Sequence, residues 1–120
     1  MQRVAVIGAS TKPDRYAYKA VALLQEKGHT PVPIAPAKKE VQGLKAYGSI
    51  AEVSEPVDTV TIYVRPKVLE ELADDIIAAQ PKRIIMNPGT EDDRLKQRFE
   101  DAGISVVQAC TLVMLSTGQF

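Results

Sequence analysis

At 120 residues the chain is long enough for one domain, residues 1–120, and too short for two independent cores. A hydrophobic fraction of 45% and a charged fraction of 25% exclude intrinsic disorder, and 15 basic against 15 acidic residues exclude a global field that would draw nucleic acid or an anionic membrane. The single cysteine, Cys110, excludes an intrachain disulfide and fits a reducing cytoplasm.

The apolar run Val4-Ala5-Val6-Ile7 ends in Gly8. It is too short for a secretory signal, and no stretch nears the ~20 apolar residues of a membrane span. Its continuous apolar character predicts a strand buried on both faces of a parallel sheet. After the loop Ala9 to Asp14, Ala17, Ala20, Val21 and Leu24 share one helical face, and Gly28 ends that helix. Thr30 to Ile34 reads as a second strand, with Pro31 and Pro33 interrupting its donors.

Pro36 to Pro56 is less regular. Val41 and Tyr47 are assigned to a short extra edge strand, and Ser49 to Val53 to one helical turn capped by Ser49. A second alternation begins with the β-branched run Thr59 to Val64, predicted as a strand. Pro66 opens a helix striped by Leu69, Leu72, Ala73 and Ile76, which Pro81 terminates. Lys82 to Met86 is the fourth strand. Leu95, Phe99 and Ala102 mark a helix stopped by Gly103, and Ile104 to Val107 is the fifth strand. Thr111 to Phe120 is apolar enough to pack against the rest. The expectation is an α/β, three-layer Rossmann-like domain: a five-stranded, mostly parallel sheet with helices on both faces and right-handed crossovers.

In such a sheet ligands bind outside the carboxyl ends of the strands, where strand order reverses. The residues there are Gly8-Ala9-Ser10-Thr11-Lys12, Ala35-Pro36-Ala37-Lys38-Lys39, Val64-Arg65-Pro66, Asn87-Pro88-Gly89-Thr90 and Gln108-Ala109-Cys110. The set is rich in small residues, prolines and cations and includes no acid, so the rim suits an anion. Gly8 lets a ligand approach the backbone, Ser10 adds a hydroxyl, Lys12 and Arg15 add charge, and the following helix offers free N–H groups to a phosphate.

Neither the dinucleotide fingerprint nor the Walker pattern is present: Ser10 and Pro13 occupy the later glycine positions of the first, and Pro13 that of the second. No acid follows the second strand to hold a ribose diol. Lys38 and Lys39 stand there instead, which favours an adenosine ligand with an extra ribose phosphate, either coenzyme A or NADP. No catalytic or metal residues are assigned. His29, the one histidine, lies at the opposite rim, where a helix dipole favours a surface imidazolium. Cys110 has no histidine to activate it and reads as a packed thiol. Glu91, Asp92 and Asp93 complement the positive end of the third helix.

The order of these motifs resembles the stand-alone bacterial CoA-binding-domain family, which is similar in fold to the N-terminal domain of the succinyl-CoA synthetase alpha subunit. The resemblance rests on Val4 to Ser10 followed by Pro13, on Val32-Pro33-Ile34 to Pro36, and on Gly43, Tyr47, Ser49-Ile50, Pro56-Val57-Asp58 and Pro66. It closes with Ala102-Gly103-Ile104 and Cys110. It implies a diphosphate on Gly8 to Lys12, adenosine near Pro36 to Lys39 and Val64 to Pro66, and a pantetheine arm toward Asn87-Pro88-Gly89. The family commonly has Asn where Ala35 stands, and Trp and Gln ahead of the glycine matched by Gly89.

The synthetase's ligase chemistry uses a phosphorylated histidine on a further domain and a partner subunit. It is not expected here, since no histidine stands at the rim. The implied activity is non-catalytic binding of CoA or an acyl-CoA, as carrier, sensor or accessory protein. The alternatives are a small NADP-dependent oxidoreductase using Tyr16 and Lys19, or an interaction module without ligand. A protein partner or homo-oligomer is left open.

Overall fold

Four of the five residues of the first strand are buried, as a strand covered on both faces requires. In the computed structural model, which describes Met1–Phe120, the chain runs through β1 (Arg3–Ile7), α1 (Tyr16–Glu26), β2 (Thr30–Ile34), β3 (Glu40–Val41) and β4 (Leu44–Lys45). A 3-10 turn (Ile50–Glu52) leads to β5 (Thr59–Ile62), α2 (Pro66–Ala79), β6 (Arg83–Met86), α3 (Asp93–Asp101), β7 (Ser105–Gln108) and α4 (Thr111–Ser116). The main sheet has the order β2-β1-β5-β6-β7, and every pairing in it is parallel.

The two faces carry separate apolar layers. Val60, Ile62, Ile84 and Met86 pack with Leu69, Ala73 and Ile76 of α2 and Leu95 and Phe99 of α3. Val4 and Val6 face the other way, against Ala17, Val21 and Leu24 of α1 and Leu115 of α4. Alternation along each strand produces this division, since successive side chains point to opposite faces. The prolines of β2 are tolerated because the strand is at the sheet edge. Tyr47 N–H donates to the Pro33 carbonyl on that outer side, at 2.9 Å.

Two assignments differ from expectation by more than one residue. Val41 and Tyr47 do not share an edge strand. Val41 belongs to the antiparallel β3–β4 hairpin, whose two-residue turn has positive φ at both Gln42 (51°) and Gly43 (78°). Tyr47 makes only an isolated parallel bridge with Ile34. The third strand, expected to reach Val64, ends at Ile62: Tyr63 still donates to the Ile7 carbonyl, and the chain then turns into α2 at Pro66. Ser49 does cap the 3-10 turn, accepting from Ala51 N–H at 3.1 Å.

Candidate functional site

The chain leaves β1 toward β2 and later returns to β5 on the other side, so strand order reverses between β1 and β5. At the carboxyl ends of these strands lies an open cavity of about 510 Å³. The loop after β1 supplies Gly8, Ala9, Ser10, Lys12 and Arg15, and α1 adds Tyr16 and Ala17. The turn after β5 supplies Tyr63, Val64 and Arg65, and the turn after β6 Pro88, Gly89 and Thr90.

Close approach of backbone to backbone shapes this crevice. Gly8 has a φ of +88°, and a Cβ built there would stand 2.9 Å from Val64 Cγ1 and 3.3 Å from the Tyr63 carbonyl carbon and oxygen. Only glycine lets the β1 loop lie against the β5 turn. The N–H groups of Gly8 and Ala9 donate to the Ile34 carbonyl at 3.1 and 3.3 Å. Those of Ser10 and Thr11 have no protein acceptor, and neither have those of Tyr16, Ala17 and Tyr18 at the start of α1. The α1 N-cap, Arg15, makes no side-chain capping bond. Free amides and the positive end of an uncapped helix therefore face the same crevice.

The charges agree with this. Ion pairs join Arg3 to Glu55, Lys82 to Asp58, Arg94 to Glu70 and Arg98 to Asp74, whereas Lys12, Arg15 and Arg65 have no carboxylate partner. Ser10 Oγ accepts from Lys12 N–H at 3.1 Å, which folds the loop and leaves the hydroxyl proton free to donate.

The remaining expected residues fall outside the crevice lining. Thr11 is exposed, and Pro66 is half-buried as the first residue of α2. Pro36, Lys38 and Lys39 form an exposed turn between β2 and β3 that borders no part of this cavity. Asn87 is buried, and its amide is fully engaged. Its Nδ2 donates to Thr61 Oγ1 at 2.7 Å and to the Ile62 carbonyl at 2.8 Å, while its Oδ1 accepts from Thr111 N–H at 2.9 Å. Asn87 thus ties β5, β6 and α4 together beneath the rim and orders the turn that presents Pro88 and Gly89.

The acids ahead of α3 divide their roles. Asp92 is the true N-cap, accepting from Leu95 N–H at 2.9 Å, and Asp93 sits in the first turn. Glu91 does not serve the helix: it folds back to accept from Gly89 N–H at 2.8 Å, which brings a carboxylate to the rim. His29 also departs from the dipole expectation. Its Nδ1 accepts from Gln2 N–H at 3.1 Å and its ring packs on Phe120 at 5.0 Å. Burial, followed by the N-terminal ammonium and Arg83, holds its pKa below the ordinary histidine value.

Tyr63, Tyr16 and Ala17 line the crevice without having been singled out as ligand contacts, and Thr90, one of the expected rim residues, lines it too. Tyr16 is 69% exposed, and Lys19 Nζ lies 5.5 Å from its ring centroid. Tyr63 continues the outward alternation of Thr59 and Thr61, a signal that could have placed it on the α1 face. Cys110 is half-buried as the residue preceding α4. No three His, Cys, Asp or Glu side chains come together to hold a metal, and no helix is long and apolar enough to cross a membrane.

The parallel sheet with an anion-suited crevice at its switch point defines a Rossmann-like domain. The chain belongs to the CoA binding domain family, whose sequence profile matches residues 2–116. It is 26% identical over 106 residues to the uncharacterized protein YneT of Bacillus subtilis, covering 88% of this chain and 78% of that protein. It is 38% identical over 69 residues to the alpha subunit of an ADP-forming acetate–CoA ligase II of Pyrococcus furiosus, covering 57% of this chain but only 15% of that subunit. Among solved structures, an uncharacterized protein matches with a TM-score of 0.94 and 40% identity, covering 100% of this chain and 98% of the other. A hypothetical protein of Pyrococcus horikoshii matches with a TM-score of 0.92 and 26% identity, covering 97% and 82%.

Proposed function

We propose that the crevice between β1 and β5 binds coenzyme A or one of its thioesters, with the diphosphate on the Gly8 to Lys12 loop, in a protein working in the cytoplasm as a carrier, sensor or accessory factor. One observation carries this: unpartnered amides at Ser10 and at Tyr16 and Ala17, where α1 starts, share a crevice with three cations that lack carboxylate partners. A diphosphate supplies acceptors to the amides and charge to Lys12, Arg15 and Arg65. Membership of a CoA binding domain family supports the ligand class. The pantetheine arm runs over Pro88 and Gly89, and Lys38 and Lys39 reach the ribose 3′-phosphate from their exposed turn.

The test is thermal stabilisation by CoA, dephospho-CoA, NADP and NAD at matched concentrations. A ligand present at ~100 times its Kd adds ~2.7 kcal/mol to the stability of the folded state. The expected order places CoA above dephospho-CoA, with no response to NADP or NAD. Joint replacement Lys38→Ala and Lys39→Ala should abolish the preference for CoA over dephospho-CoA. Stabilisation by NADP alone would assign the site to an oxidoreductase, and silence with all four would leave an interaction module.

A further inference from the structure

A second cavity, of about 230 Å³, opens beside the first. Tyr16, Tyr63 and Pro88 border both, and Asn87, Cys110 and Leu112 complete the smaller one. The two differ in chemistry: Lys12, Arg15 and Arg65 line the larger, whereas no charged side chain lines the smaller. Between them stands Tyr63. Its Oη is shut off from solvent, beside the Thr61 and Thr111 hydroxyls. The nearby Thr61 and Thr111 hydroxyls are bonded to each other at 2.8 Å, and Thr61 Oγ1 also takes the Asn87 amide. Tyr63 thus turns its hydroxyl away from both cavities, toward Thr61 and Thr111, and offers them its ring.

We propose that the smaller cavity is an acyl-group subsite for short, uncharged thioesters of CoA. This rests on the CoA reading of the adjoining crevice. Continuity fixes the occupant: a pantetheine arm passing over Pro88 delivers its sulfur to the border shared by the two cavities. Volume limits its length. An apolar cavity of about 150 Å³ holds one benzene, so 230 Å³ holds roughly nine carbons at the same density and not a long fatty chain. The uncharged lining limits its polarity, since a carboxylate on the acyl group would be desolvated without a cation.

The test is calorimetric titration of the full-length protein with CoA and with acetyl-, butyryl-, succinyl- and palmitoyl-CoA. Each buried methylene tightens binding about fourfold, so butyryl-CoA should bind about fifteenfold tighter than acetyl-CoA. Succinyl- and palmitoyl-CoA should bind no tighter than CoA itself. Because Cys110 lines the small cavity, butyryl-CoA should also slow its alkylation by iodoacetamide more than CoA does at equal saturation. If CoA binds but butyryl-CoA gains nothing over acetyl-CoA, or leaves Cys110 equally reactive, the acyl subsite is overturned and the CoA reading stands. If neither CoA nor any thioester binds, both readings fall.

Discussion

Replacing Gly8 by alanine probes the contact that shapes the crevice. Two costs combine. A φ of +88° places an L-residue in the left-handed region, at about 1–2 kcal/mol. The new Cβ also meets Val64 Cγ1 at 2.9 Å and the Tyr63 carbonyl group at 3.3 Å. Val64 is β-branched and stiff, and Tyr63 contributes backbone, so relief requires the β1 loop to move from the β5 turn. Such overpacking costs about 1–3 kcal/mol. The total is about 2–5 kcal/mol, or a drop of about 1–3 M in the urea midpoint. Gly28→Ala is the control, because its φ is +87° and nothing lies within 4 Å of its Cβ position. Urea unfolding should therefore show Gly8→Ala losing about 1–3 kcal/mol more than Gly28→Ala. Adding Val64→Ala should recover part of that excess, read as a coupling energy in a double-mutant cycle. Equal losses for the two alanines would refute the close-approach argument.

Three further outcomes are expected. Asn87→Leu leaves the Thr111 N–H and the Ile62 carbonyl without their side-chain partner, and urea unfolding should show a loss of about 2–5 kcal/mol; a loss below about 1 kcal/mol would mean the junction is dispensable. His29 has a lowered pKa in the folded state, so the unfolded chain binds the extra proton. Its contribution is intact above its ordinary pKa and is lost as pH falls below about 6.5. Thermal melts between about pH 7.5 and 5.5 should slope less in His29→Phe, which keeps an aromatic ring against Phe120, and an unchanged slope would reject burial of His29 as the source of the pH dependence. Glu91→Gln removes a carboxylate from the rim and loosens its hold on Gly89 N–H; CoA affinity should rise, more at low than at high salt, and a fall would place Glu91 among the ligand's supports.

The sheet was legible because its strands are continuous apolar runs and its helices carry one-sided stripes, two signals of different period. The loop that lines the crevice was legible for a related reason. Gly8, Ala9 and Ser10 follow the first strand directly, and small residues at that position have a physical purpose. What could not be read depends on contacts distant in sequence. The Gln42-Gly43 turn lacks the usual Asn or Asp, so the hairpin merged with the Tyr47 bridge into one supposed strand. Asn87 stands at the rim by position, yet its amide turns inward to Thr61 and Thr111, one strand away on one side and one helix away on the other. Glu91 looked like a helix-dipole acid because Asp92 and Asp93 beside it are, and only the fold of the turn sends its carboxylate to Gly89. Tyr63 was concealed inside a strand assignment two residues too long.

Backbone amide shifts in a CoA titration of the isotopically labelled protein test the central claim most directly. With a diphosphate on the β1 loop, the largest changes fall on the free N–H groups of Ser10 and Thr11 and at the start of α1, with smaller ones at Arg65 and Gly89. Shifts that spare residues 8 to 18 while CoA binds elsewhere on the surface would contradict it.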